Sequence, residues 1–227
     1  MISDLVAGLL DVLYPPRCLG CSGRPESPSL PLCPACLRQL DTAPPMNVAA
    51  RIDRLPAAWG TAHGAHAMWV FDKGGALQAV QHALKYGDRP AYGIALGELL
   101  GTSYLRAGWP PPDGVVPVPL HRLRLLERGY NQAEMLARGV ATTCEATVYP
   151  ELLDRHRATR SQTSLSRDAR WKNVSDAFEA TVPIDGGAWL VVDDVLTTGA
   201  TAMACALALR EAGAECITIA TLCLART

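Results

Sequence analysis

The sequence lacks an excess of charge of either sign, because 21 basic and 22 acidic residues leave a net charge of −1. A nearly neutral chain has no global field that would favour nucleic acid or a membrane surface. It also contains no uninterrupted apolar run near the ~20 residues that a membrane-spanning helix needs. Its first residues include Asp4 and no Lys or Arg, whereas a secretory signal peptide begins with a basic segment. These absences predict a soluble, cytoplasmic protein without membrane insertion.

The eight cysteines are distributed unevenly along the 227 residues. Four of them form two CxxC units, Cys18 to Cys21 and Cys33 to Cys36, and the others are scattered through apolar segments. In a chain with no export signal, paired CxxC units favour a metal site over disulfides. Four thiolates suit one tetrahedral zinc ion, and such a closed site is structural rather than catalytic. The alternative, four small core residues, fits the Gly- and Pro-rich sequence between the units less well.

The pattern of apolar residues changes along the chain. Residues 2–13 carry an apolar stripe at helical spacing, which favours a helix docked on the protein body over a membrane-surface helix. Residues 43–58 contain three prolines and few large apolar groups, which predicts a linker. From residue 59 onward, apolar runs alternate with helical patterns, as in a parallel α/β sheet. The sequence therefore predicts a helix and zinc ribbon over 1–42, a linker over 43–58 and an α/β domain over 59–227.

Two adjacent acidic residues and a Thr-rich turn follow the most apolar predicted strand, Trp189 to Val192. Asp193 and Asp194 suit vicinal sugar hydroxyls or a hydrated magnesium ion. Gly199 lets the backbone approach an anion closely, and the amides at the start of the next helix face that anion. Two carboxylates would repel a bare phosphate, so a ribose phosphate with magnesium fits better than phosphate alone. The alternative is a capped helix with an accidental acidic pair. Further donors come from the hydroxyls of Thr197, Thr198 and Thr201.

Two other segments are rich in basic residues. The loop after the predicted strand at 115–118 offers Arg122, Arg124 and Arg128 beside His121. Residues 155–172 contain six basic residues and one acidic residue, without a periodic apolar face. Such segments stabilise negative charge that develops during a transfer reaction, follow a nucleic-acid backbone, or form a solvated surface.

Several of these features resemble a known family. The segment from Val191 to Thr201 resembles the phosphoribosyl pyrophosphate (PRPP) motif of type I phosphoribosyltransferases. Nearly the whole chain is similar to one branch of that group, the ComF family of competence proteins, with GntX-like proteins included. One departure is Gln78 and Gln81, and it leaves the role of their helix open. Besides the paired CxxC units, the shared motifs are Leu84-Lys85-Tyr86, Val116-Pro117-Val118-Pro119-Leu120-His121, Arg128-Gly129-Tyr130-Asn131-Gln132 and Arg170-x-x-Asn173.

The resemblance implies a type I phosphoribosyltransferase-like parallel sheet flanked by helices, with a small N-terminal zinc ribbon. It implies that Asp193 and Asp194 hold the ribose of PRPP bound with magnesium. It also implies that Arg122 or Arg124 contacts the pyrophosphate. The 5-phosphate would lie against Thr197, Thr198, Gly199, Ala200 and Thr201. A loop closing over PRPP would supply Arg157, Arg160, Arg167 and Arg170.

Three functions stay open from the sequence. The ComF resemblance implies a cytoplasmic protein that binds single-stranded DNA during uptake in natural transformation, with PRPP as a ligand. The second is a phosphoribosyltransferase that releases pyrophosphate, although no general base is evident and its catalytic residues stay unassigned. The third is a scaffold whose ribbon recruits a helicase-like uptake partner or other competence proteins while the pocket is vestigial.

Overall fold

The computed structural model describes residues 16–54, 60–156 and 176–226. Within these ranges, no helix combines the length and apolar character needed to cross a membrane. The helices are α1 (Pro34–Arg38), α2 (Pro45–Ile52), α3 (Ala76–Tyr86), α4 (Pro90–Arg106), α5 (Arg122–Arg128), α6 (Gln132–Cys144) and α7 (Ala200–Glu211). The strands are β1 (Gly64–Val70), β2 (Gly114–Pro117), β3 (Thr147–Val148), β4 (Leu153–Arg155), β5 (Phe178–Ala180), β6 (Ala188–Leu196) and β7 (Cys216–Leu224).

Five strands form one parallel sheet in the order β1-β7-β6-β2-β3. The central strands β6 and β7 are nearly continuous apolar runs, as expected for parallel strands covered on both faces. Val191 pairs with Ile219 on one side and Val116 on the other. The short strands β4 and β5 pair antiparallel in a separate two-stranded sheet. The predicted parallel α/β architecture is therefore confirmed.

Helices cover both faces of the sheet because successive strand residues point to opposite sides. On one face, Val191 and Ile219 belong to an apolar cluster with α7 and with Val48 of α2. On the other face, Leu190 and Val192 belong to a cluster with α3, α4 and α6. All parallel strands end at one edge, so the segments that follow β1, β2, β6 and β7 meet there.

The N-terminal ribbon packs onto the α/β domain. Cys18, Leu32 and Cys33 are buried in the same cluster as α3, α4 and α6. Just after the ribbon, the amide of Ala43 donates to the carbonyl of Met68, 3.1 Å away, which attaches the chain to edge strand β1. The ribbon thus shares its apolar contacts with the sheet domain. The helix predicted over residues 2–13 lies outside the described residues.

The structure differs from the predicted linker at 43–58, because its described part contains helix α2. Pro45 occupies the first turn of this helix, where proline is tolerated because its missing N–H has no intrahelical acceptor. Val48 and Ile52 are four residues apart and both buried, so one helical face packs onto the domain. The prolines therefore begin a short helix instead of keeping the segment extended.

Two further local predictions need correction. The segment after β2, predicted as a basic loop, is the short helix α5. The side chain of His121 caps its N-terminus by accepting from the amide of Leu123, and Gly129, with φ of 78°, ends it. Strand β6 continues to Leu196, so the acidic pair lies inside the strand and not after it. Helix α6 begins after Asn131, whose side chain caps it by accepting from the amide of Ala133 at 3.0 Å.

Candidate functional site

A tight turn joins β6 to α7 at the carboxyl edge of the sheet. Thr197 and Thr198 are exposed, and Gly199 adopts φ of 82° as the N-terminal cap of α7. The left-handed conformation at Gly199 is readily available to glycine and strained for most other residues. The turn therefore presents hydroxyl groups and the N-terminal amides of a 12-residue helix to the same region. Such an arrangement can bind a phosphate group.

The two acidic residues before the turn lie on opposite faces of β6. The side chain of Asp194 contacts α3. The side chain of Asp193 lies on the α7 side, near Cys205. Burial raises the pKa of the Cys205 thiol, and the charge of Asp193 raises it further. The carboxylate of Asp193 also accepts from the amide of Asp194 at 2.8 Å. The predicted pair is thus adjacent along the chain, but its two side chains have different neighbours.

Two side chains of α3 hold the carboxylate of Asp194. The ammonium of Lys85 lies 3.1 Å from its Oδ2 atom, and the side-chain amide of Gln81 donates to the same atom at 3.3 Å. The Asp194 side chain is only 11% exposed, so this ion pair partly compensates the loss of water. The sequence showed both residues without assigning them a role. Their spacing of four along a helix is the signal that could have joined them on one face.

Asp193 sits in a less compensated position. Burial raises the pKa of its carboxyl well above the ordinary value, and the charge of Asp194 raises it further. The guanidinium of Arg155 lies nearby, at the end of β4. Burial lowers the pKa of Arg155, and the charge of Asp193 partly opposes that effect. Lys85 lowers the pKa of Asp193, as does the amide of Asp194. Because these groups do not offset the cost of burial, the site favours ligands that bring hydroxyl donors or a divalent cation.

The predicted pyrophosphate contacts fall in different places. Burial lowers the pKa of Arg155, and the charge of Arg124 on α5 lowers it further, so the two arginines lie close together. Arg124 is therefore brought toward the Asp193 face of the site. Arg122 is exposed two residues earlier on the same short helix, and no such link connects it to the acidic pair among the described residues. Outside the described residues lie Arg157, Arg160, Arg167 and Arg170, between the paired strands β4 and β5.

Arg51 of α2 binds the backbone of the β6–α7 turn. Its guanidinium donates to the carbonyl of Thr197 and, at 2.9 Å, to the carbonyl of Ala225 after β7. The residue is buried, and these neutral acceptors leave its positive charge beside the turn. Sequence reasoning missed Arg51 because the segment around it was interpreted as a linker.

The four cysteines of the ribbon come together as the spacing predicts. Their sulfur atoms all lie within 4.8 Å of one another, and the Cys21 and Cys33 sulfurs are 3.7 Å apart. Sulfurs at tetrahedral positions about 2.3 Å from zinc would be about 3.8 Å apart, so the cluster fits that ion. The Cys18 sulfur accepts from the amides of Gly20 and Cys33. Burial opposes ionisation of Cys18, but these hydrogen bonds prevail and lower its pKa to about 6.

Comparison with known proteins agrees with this description. Residues 9–46 match the family model described as double zinc ribbon domain. The chain is 34% identical over 200 residues to DNA utilization protein YhgH of Salmonella typhi, covering 86% of this chain and 84% of that protein. It is 33% identical over 107 residues to competence protein F of Haemophilus influenzae, covering 46% and 47% of the two chains. The chain belongs to the ComF family.

Solved structures that resemble this ComF-family chain include two enzymes. One is glutamine phosphoribosylpyrophosphate (PRPP) amidotransferase from B. subtilis, with a TM-score of 0.41, 19% identity, and 62% of this chain covered. The other, described as the allosteric regulatory enzyme of purine biosynthesis, has a TM-score of 0.40 and 21% identity over 62% of this chain. The chain spans about 30% of the first and 29% of the second.

Replacing Lys85 by Met should destabilise the protein, because it leaves the Asp194 carboxylate without its charged partner. We expect the free energy of unfolding to fall by about 2 kcal/mol, within the range for breaking a partly buried ion pair. The measurement is chemical denaturation of the wild type, Lys85→Met, Asp194→Asn and the double variant. The loss from Lys85→Met should be clearly smaller when Asp194 is already Asn. Equal losses in both backgrounds would contradict the pairing.

Replacing Cys33 by Ser should weaken zinc binding by the ribbon, because hydroxyl oxygen is a poorer zinc ligand than thiolate. Cys216→Ser, outside the four-cysteine cluster, is the matched control. We expect wild type and control to keep one zinc per chain during dialysis against a chelator, and Cys33→Ser to lose it. The measurement is metal content by mass spectrometry. Equal retention by Cys33→Ser would rule out the four-cysteine site.

Proposed function

We propose that this ComF-family protein is a cytoplasmic protein that binds PRPP with magnesium at the carboxyl end of β6 and acts on single-stranded DNA during uptake. PRPP binding is supported by the order of the polar groups at the end of β6. Two carboxylates inside a buried strand are followed directly by a phosphate-binding turn and a helix N-terminus. A sugar that carries a phosphate has complementary groups in the same order.

The residues of the site would divide the ligand between them. The amides and hydroxyls at 197–201 would hold the 5-phosphate, since the first amides of a helix have no intrahelical acceptor. The amide of Ala200, which donates weakly to the Thr198 hydroxyl at 3.4 Å, would exchange that bond for the phosphate. Asp193 and Asp194 would accept hydrogen bonds from the ribose hydroxyls. Magnesium bound with PRPP would supply positive charge to the pyrophosphate, and the oxygen-only donor set of the two carboxylates suits that ion through bridging water. Lys85 and Gln81 would orient Asp194, because both contact its Oδ2 atom and leave Oδ1 to the ligand.

Helix α5 and its neighbour Tyr86 form a surface that suits single-stranded DNA. The relatives are named for DNA utilization and competence. On α5, Leu123 is 62% exposed and Leu126 is 75% exposed, between arginines on the same helix. The guanidinium of Arg128 lies 5.7 Å from the ring centre of Tyr86, which is 66% exposed. Cationic groups beside exposed apolar and aromatic side chains suit a flexible strand of phosphates and bases. The ribbon would contact a DNA-uptake helicase or other competence proteins.

Titration calorimetry with PRPP and magnesium tests the first part of the proposal. We expect the wild type to bind, and Asp193→Asn and Asp194→Asn each to weaken binding about tenfold or more, as for hydrogen bonds that involve a charged group. Asp185→Asn is the matched control, since this carboxylate is exposed and precedes β6. Absence of binding by the wild type, or equal weakening by the control, would refute the site.

Fluorescence anisotropy with a labelled oligothymidylate tests the second part. Affinity should fall as salt rises, because phosphate contacts release counterions. If Arg122 and Arg124 contact two phosphates, the double change to Gln should reduce the slope of log K against log salt by about 1.4 in magnitude. Arg106→Gln, at the exposed end of α4, should leave the slope unchanged. The DNA proposal fails if the wild type does not bind even at low salt.

A further inference from the structure

A basic cavity lies at the carboxyl edge of the sheet, beside the ends of β1 and β7. Its volume is about 330 Å³, and α2 forms one wall. Three arginines line it, namely Arg51, Arg54 and Arg226, together with the polar side chain of Asn47. The other lining residues are small or apolar, and none of them is acidic.

The positive charges of this cavity are incompletely balanced. Arg51 is buried and fixed by two carbonyl groups, which are neutral acceptors and leave its charge in place. Burial lowers the pKa of Arg51, and the charge of Arg54 lowers it further, which places the two guanidinium groups within electrostatic range of each other. Arg226 pairs with Asp41 at 2.8 Å, but both groups are largely exposed, so their pairing is screened by water. An anion between these arginines would relieve their repulsion.

We propose that this cavity binds the phosphate group of a nucleotide or of a nucleic-acid strand. Guanidinium groups suit this ligand because their planar forks donate pairs of hydrogen bonds to phosphate oxygens. The volume lies within the range of about 300–1,000 Å³ that is usual for small-molecule sites, which leaves room for a sugar beside the phosphate. The carboxyl edge of a parallel sheet is also where such ligands bind in α/β proteins.

The cavity is distinct from the acidic pair, although one residue joins the two regions. Arg51 contributes its guanidinium to the cavity wall and at the same time donates to the carbonyl of Thr197 in the β6–α7 turn. None of the residues lining the cavity belongs to the acidic pair or to the turn itself. Binding in the cavity therefore does not require PRPP binding at β6, and each site can be tested alone.

The test compares Arg54→Gln with the wild type, because Arg54 is exposed and its replacement should leave the fold intact. The probes are inorganic phosphate, thymidine 5′-monophosphate and an oligothymidylate of about ten nucleotides, each titrated in low salt without PRPP. We expect Arg54→Gln to weaken at least one of them about tenfold, the usual effect of losing a charged hydrogen bond. Weakening of the mononucleotide would identify a free nucleotide as the source, and weakening of the oligomer alone would identify a strand.

Two matched variants make the result specific. Asn47→Asp adds a carboxylate to the cavity wall and should weaken the same probe at least as strongly. Arg106→Gln removes an exposed arginine outside the cavity and should have no effect on it. Asp194→Asn should leave the cavity's affinity unchanged, which separates this proposal from the PRPP site. The proposal is overturned if Arg54→Gln and Asn47→Asp bind all three probes as tightly as the wild type does.

Discussion

Two neighbouring carboxylates inside a buried strand repel each other, and the arrangement of the site follows from how the fold limits that repulsion. Strand alternation places Asp193 and Asp194 on opposite faces of β6. Lys85 and Gln81 then compensate Asp194 from α3. Asp193 receives a backbone amide and the field of Arg155, yet its pKa stays well above the ordinary value because burial and Asp194 both oppose ionisation. Carboxyl groups with a strongly perturbed pKa are common at functional sites.

Local patterns determine how much of this arrangement can be predicted from the sequence. The apolar runs of β6 and β7 predict parallel strands, and Gly199 with its flanking threonines predicts the turn, because each signal lies within about ten residues. The four cysteines likewise predict their own cluster. Lys85 is different, since its role depends on α3 packing over a strand that comes more than a hundred positions later. No periodicity within α3 contains that information.

Helix α2 shows how tertiary contacts override a local signal. Eight residues that begin with proline have little helical stability alone, so a linker is the reasonable expectation from the sequence. The helix forms because Val48 and Ile52 pack onto the sheet domain. That packing directs Arg51 inward to the carbonyls that follow β6 and β7. A segment without an evident motif thereby becomes part of the carboxyl edge of the sheet.

Net charge is a sum, whereas phosphate recognition depends on where the charges lie. The arginines near the carboxyl edge come from segments far apart in sequence: Arg51 and Arg54 from α2, Arg124 from α5, Arg155 from β4, and Arg226 from the end of the chain. Parallel strands bring such segments together, because the chain leaves every strand at the same edge. The acidic residues that balance them in the total of −1 are spread over other surfaces as well as the pair on β6. A nearly neutral composition therefore excludes a global field without excluding a local site for phosphate groups.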